Sequence, residues 1–139
     1  MTFKLVTCLC LLAIVETKIF NKCEMANILV KNRIPRRDVA NWICLVRHES
    51  NFNSRIRSKM NKNKTFDHGI FQINDGYWCS PGRYNECKIS CSALRDDNIS
   101  DDIKCARKIY SRHGFRAWYG WRRNCSGKNL KSYTSGCKY

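Results

Sequence analysis

The sequence is poor in acid. Eleven Asp and Glu stand against twenty-six Lys and Arg, a formal charge of +15. So basic a surface is drawn to polyanions such as nucleic acid, anionic lipid or acidic cell-wall polymer, and charge alone does not choose among them. Repeats, low-complexity tracts and a linker are also missing, which argues against a second domain. No CxxC pair occurs, and His48, His68 and His113 lie apart along the chain, so a metal–thiolate site is rejected. Beyond residue 17 no segment is apolar enough to cross a membrane.

What the N-terminus does contain is a leader pattern. "MTFKLVTCLCLLAIVET" has Lys4 near its start, an apolar run from Leu9 to Val15, and Val15 and Thr17 at −3 and −1 of a cut before Lys18. This reads as a secretory signal peptide over 1–17, its apolar stretch too short to span a bilayer; a retained anchor is the rival reading. The mature domain is then 18–139, long enough to bury roughly two-thirds of its unfolded surface. Cys8 and Cys10 would leave with the leader. Cys23, Cys44, Cys79, Cys87, Cys91, Cys105, Cys125 and Cys137 remain. An even count in an exported chain implies four disulfides, with on the order of a hundred pairings formally open. Export makes nucleic acid the least expected of the polyanions.

Three helices are legible. "NKCEMANILVKNRIP" offers Asn21 as cap, Glu24 three residues on as in a capping box, and Pro35 as a stop. "DVANWICLVRHES" is the second, with Asp38 as its expected cap. "SDDIKCARKIYSRHG" is the third, capped by Ser100, striped by Ile103, Ala106, Ile109 and Tyr110, and ended by Gly114. A short helical turn is expected around "AWYGWRRNC". Between the second and third helices the pattern changes to period two, Phe71 and Ile73 against Ile70, Gln72 and Asn74, with Gly69 and Gly76 as punctuation. The expected fold is α+β: a mainly helical lobe, a small antiparallel sheet lobe, and a cleft between them where a ligand fits.

One residue of the second helix is out of place. Val39, Trp42, Ile43 and Val46 form an apolar stripe, and Glu49 continues it at the same spacing. A carboxyl at the end of such a stripe loses hydration, which disfavours its charged form and raises its pKa. A bland alternative is a structural acid paired with Arg47 or His48.

The strings "HESNFN", "DHGIFQIN", "YWC", "CSAL" and "AWYGW", together with the eight-cysteine spacing, resemble c-type lysozymes over the whole of 18–139, and "KCARKIYSRHGFRAW" is most similar to the arthropod branch. The resemblance implies the lysozyme-like fold and the disulfides Cys23–Cys137, Cys44–Cys125, Cys79–Cys91 and Cys87–Cys105. It places Glu49 at the general acid and Asp67, in "FDHG", at the second carboxylate. Glycoside hydrolysis needs one carboxyl that keeps its proton and one that has lost it. Lysozyme is the standard worked example of that pairing. Substrate contacts are implied at Asn61, Gln72, Asn74, Tyr77, Trp78, Ala117 and Trp118. Gln72 and Asn74 would present amides from one strand face, and Tyr77, Trp78 and Trp118 flat platforms for sugar rings. Trp118 would also dry the pocket around Glu49, while Trp42 and Trp121 are read as core.

The implied function is that of a secreted muramidase. It would hydrolyse the β-1,4 bond between N-acetylmuramic acid and N-acetylglucosamine in bacterial peptidoglycan, with retention and no cofactor, and its charge would suit an anionic bacterial surface. The chain is expected to act as a monomer, without nucleic acid and without stable membrane insertion. The alternatives are a non-catalytic calcium- or sugar-binding relative of the α-lactalbumin type and a cationic membrane-disrupting protein. Several positions depart from the family pattern: Tyr77 where many relatives have Trp, a short Cys79–Cys87 loop, Arg112 on the upper rim, and a basic loop "SKMNKNKTF". Finally, "ALRDDNISDDIKC" resembles the calcium elbow of α-lactalbumins. Asp96, Asp101 and Asp102 would supply carboxylates, with carbonyls from Ala93 and Asn98; otherwise Asp101 and Asp102 merely complement the helix dipole.

Overall fold

The computed structural model describes residues 8–14 and 16–139. Lys4 and Val15 of the expected leader therefore lie outside the described residues. In the leader's described part, Leu9, Leu11, Leu12 and Ile14 are 80–90% exposed and join no core.

Helix α1 runs Lys22–Lys31. Asn21 caps it by accepting the Glu24 N–H at 2.8 Å. The expected capping box is only half made, because the Glu24 carboxylate pairs with Lys18 instead. Helix α2, Val39–Glu49, differs from expectation at its start. A 3₁₀ turn over Arg36–Asp38 leads straight into it, so Asp38 already has helical dihedrals and its side chain makes no capping bond. A cap needs an extended backbone to aim its oxygen at the first turn. Likewise Ser100 is the first residue of α3, Ser100–His113, rather than its cap, and the Asn98 side chain accepts its N–H. Gly114, at φ 65°, stops α3 as expected. Helix α4, Tyr119–Asn124, follows a 3₁₀ turn over Phe115–Ala117.

The sheet is smaller than the period-two pattern suggests. Strands β1, Asp67–His68, and β2, Ile73–Asn74, pair antiparallel with Asp67 opposite Asn74. Residues 69–72 form the turn, with positive φ at Gly69 and Gln72. Ile70 and Phe71 are both fully buried, so the expected alternation of faces fails there. The hairpin tip folds onto the helices, and a turn buries neighbouring side chains together where a strand would separate them.

Trp42 of α2 joins the two lobes. Its ring meets Phe71 of the hairpin edge-on at 5.7 Å, Trp118 at 5.5 Å, and Phe115 at 5.0 Å. Edge-to-face contacts of this kind add to the large apolar area an aromatic ring buries. The disulfides Cys44–Cys125 and Cys23–Cys137 tie α2 to the end of α4 and α1 to the C-terminal tail; Cys79–Cys91 and Cys87–Cys105 fasten the loop after the sheet to α3 and the turn before it. These are the pairs that the family resemblance implies. No helix among the described residues is long and apolar enough to cross a membrane.

Replacing Trp42 by Ala is expected to cost about 3–5 kcal/mol in urea unfolding, the loss typical of a large aromatic in a packed core. Met60→Ala, at a side chain 60% exposed, is expected to stay within about 0.5 kcal/mol.

Candidate active site

Glu49 is the last residue of α2, directly beyond the buried stripe of Val39, Trp42, Ile43 and Val46. Its side chain does not take the bland pairing. Arg47 bonds Asn51, and His48 faces the Tyr133 hydroxyl at 3.1 Å. Glu49 Oε1 instead accepts the backbone N–H of Gly120 at 2.9 Å, leaving Oε2 without a hydrogen-bond partner among the described residues. Burial raises the carboxyl above its ordinary pKa, the Gly120 N–H draws it partway back, and the charge of Asp67 adds to the rise. A Cβ on residue 120 would lie 2.6 Å from Oε1, so only glycine leaves the carboxyl undisturbed in this position.

Asp67 is held differently. Its backbone is clamped by Ser58, whose hydroxyl accepts the Asp67 N–H and whose N–H donates to the Asp67 carbonyl, both at 2.9 Å. Asn61 donates to Oδ2 at 3.1 Å and Asn74, across the hairpin, to Oδ1 at 2.8 Å. Both amides also donate to the Thr65 hydroxyl, which in turn donates to the Asn63 side-chain oxygen. Each oxygen of the acceptor-only carboxylate thus has a fixed donor. Sequence reasoning missed Thr65 and Gly120. Neither type signals chemistry; Gly120 lies inside "AWYGW", and Thr65 two residues before Asp67 is the only other cue.

A cleft of about 740 Å³ opens between the lobes. It is lined by Glu49, Asp67, Gln72, Asn74, Tyr77, Trp78, Ala117 and Trp118, and also by Ile109, His113, Arg116 and Tyr119. Asn61 does not line it; its place is behind Asp67. Two expectations are corrected here. Gln72 sits in the hairpin turn rather than on the strand face of Asn74, and its amide NH2 group donates to the carbonyls of Gly69 and Ile56. Trp78 and Trp118, only 8% and 5% exposed, give the cleft edges of wall rather than open platforms. Trp118 is fixed by its N–H to the Phe71 carbonyl at 2.9 Å. Tyr77, 40% exposed and braced edge-on by Trp78, and Tyr119, 62% exposed, are the more open rings of the cleft. Trp121 stacks on Phe115 and donates to Asn41, in keeping with a packing role. Arg112 pairs with Glu86 at 3.0 Å.

Residues 18–137 match the model of the C-type lysozyme/alpha-lactalbumin family. The chain belongs to that family. It is 50% identical over 124 residues to Lysozyme c-1 of Anopheles gambiae, an alignment covering 88% of each chain. It is 47% identical over 116 residues to a lysozyme of Bombyx mori, covering 81% of this chain and 82% of the other. With Lysozyme C of Macaca mulatta it shares 40% identity over 131 residues and 88% of each chain.

In this lysozyme-family chain the acidic elbow brings three carboxylates together. The carboxylates of Asp96, Asp101 and Asp102 each bring an oxygen within 4.8 Å of the others. Asp102 is fully buried with neither oxygen bonded, and burial first, then Asp101 and Asp96, push its pKa up to about 10. Two orphaned hard oxygens beside two further carboxylates fit a calcium ion, which Asp96, Asp101 and Asp102 would hold. A second cluster, His68 with Cys79 and Cys91, does not fit a metal, because its two sulfurs are joined as a disulfide.

The Asp102 environment fixes a pH dependence. In the metal-free fold the Asp102 pKa is pushed up to about 10, above the ordinary aspartate value that it has in the unfolded chain. Stability is therefore expected to fall as pH rises between those limits. In metal-free protein Asp102→Asn should remove that loss, its advantage in Tm growing with pH. Millimolar calcium should raise the Tm of the natural chain and leave the variant unmoved.

Proposed function

We infer that the protein is a secreted muramidase, cleaving the β-1,4 bond between N-acetylmuramic acid and N-acetylglucosamine of bacterial peptidoglycan. One observation carries this most directly. Two carboxylates line a single cleft: one is desolvated and bound by a single backbone N–H, the other has an amide on each oxygen.

In this reading Glu49 holds the proton that passes to the glycosidic oxygen as the bond breaks. Asp67 supports the positive charge that develops on the sugar, as nucleophile or as fixed anion. Water then adds to the sugar carbon, and Glu49, now ionised, takes a proton from it. The same residue serves as acid and then as base, and configuration is retained as the family resemblance implies. Asn61, Asn74 and Thr65 keep the Asp67 oxygens in place. Tyr77 offers a sugar ring its face, and Trp118 excludes water on the acid's side. No cofactor enters any step.

Export fits the chain's chemistry. Four disulfides need an oxidising compartment, and the exposed apolar residues ahead of Lys18 suit a leader cut at 1–17. The charge of +15 favours capture on an anionic bacterial surface. Antibacterial defence is the role this balance suits best; digestion of bacteria uses the same chemistry.

Glu49→Gln is expected to lower clearing of bacterial walls by about 10²–10⁴-fold, the usual worth of a general acid, with Tm unchanged. Retained clearing would instead favour cationic disruption. Asn74→Ala is expected to cut kcat on a soluble N-acetylglucosamine oligomer by about tenfold, as lost hydrogen bonds to charged groups do.

A further inference from the structure

The hairpin has a second face. Behind Asp67, on the side occupied by its neighbour His68, lies another pocket of about 720 Å³. Arg57, Lys64 and Arg95 line it, with Ser80, Ser90 and Ser92; the Ser80 hydroxyl makes a long bond of 3.4 Å to the Ile89 carbonyl, and those of Ser90 and Ser92 bond each other at 3.1 Å. Among the described residues none of the three cations has a salt-bridge partner. Arg57 lies over the Phe66 ring at 4.6 Å, a contact that holds its guanidinium without using its N–H groups. One carboxylate also lines the pocket, that of Asp75. It is already engaged, one oxygen 3.0 Å from His68 Nε2 and the other accepting the Phe66 N–H. The pocket therefore keeps an excess of positive charge.

One buried donor on its lining residues, Arg95 Nε, has no hydrogen-bond partner among the described residues. Buried polar atoms are nearly always satisfied, so an unpaired arginine N–H on a pocket-lining residue is a donor left for an acceptor. Concave sites lined by one sign of charge concentrate counter-ions. Arginine forks with serine hydroxyls match the tetrahedral oxygens of a phosphate.

We propose that this pocket on the back of the β lobe binds phosphate groups of an anionic, phosphodiester-linked wall polymer, anchoring the enzyme while the opposite face of the hairpin works on glycan. The phosphate chemistry follows from the pocket itself; the choice of a wall polymer rests on the muramidase reading. Such an anchor uses Lys64 of the basic loop, which the cleft leaves idle.

Calorimetric titration with inorganic phosphate and with poly(glycerol phosphate) tests both parts without reference to hydrolysis. The expected result is weak binding of phosphate and tighter binding of the polymer. Arg57→Gln/Lys64→Gln should weaken polymer binding at least about tenfold, whereas Arg36→Gln/Lys131→Gln, which removes equal charge elsewhere, should change it less than about twofold. Turnover of a soluble oligosaccharide should be the same in both variants. In the natural chain, phosphate should shift the amide resonances of Ser80, Ser90 and Arg95, a readout that needs no variant. Equal losses in the two variants would reduce the effect to net charge and overturn the site. Failure of the polymer to bind, with or without phosphate binding, would overturn the anchor, and neither result would touch the role of Glu49.

Discussion

A carboxyl group that has lost most of its water, yet keeps one backbone N–H for company, is the constraint on which the active site turns. Glu49 reaches that state because α2 delivers it at the end of an apolar stripe while α4 brings Gly120 against it. Desolvation alone would raise its pKa, and the Gly120 donor moderates the rise. The bond occupies Oε1 and so orients the group as well as tuning it. Asp67 contributes twice, through the charge that helps Glu49 keep its proton and through its own fixed position on the hairpin.

That arrangement depends on packing some distance away. Trp42 stands on the same helix as Glu49 and touches the hairpin through Phe71 and the cleft wall through Trp118. Trp118 in turn donates to the Phe71 carbonyl. The acid's helix, the sheet that carries the second carboxylate and the wall that keeps the pocket dry thus share one aromatic junction. A sheet of only two residues per strand is too small to hold a geometry unaided. Disulfides to the turn before α3 and to α3 itself, and the side-chain web around Asp67, supply the remaining restraint.

Much of this was legible in the sequence, for identifiable reasons. Glu49 betrayed itself because a helical period makes a misplaced charge visible. Asn21 and Gly114 marked helix ends because capping is local chemistry. Asp38 and Ser100 misled because a cap also depends on the backbone path into the helix, which a preceding 3₁₀ turn changes. Gln72 misled because residues 70–73 imitate a strand while Gly69 turns them into a bend. Thr65 and Gly120 were hidden for another reason. One acts through a hydroxyl placed by loop folding and the other through the absence of a side chain, and neither property has a periodic signature. The buried isolation of the Asp102 oxygens likewise emerges only from tertiary packing, although the acidic run around them was plain.

The most direct test is a titration of the Glu49 side-chain carboxyl itself, followed by carbon NMR in natural and Gly120→Ala protein. A midpoint clearly above the ordinary glutamate range, shifted again when a methyl group crowds Oε1, is the expected result. A midpoint at the ordinary value, indifferent to residue 120, would mean that the carboxyl is solvated, and the acid at the centre of this mechanism would be lost.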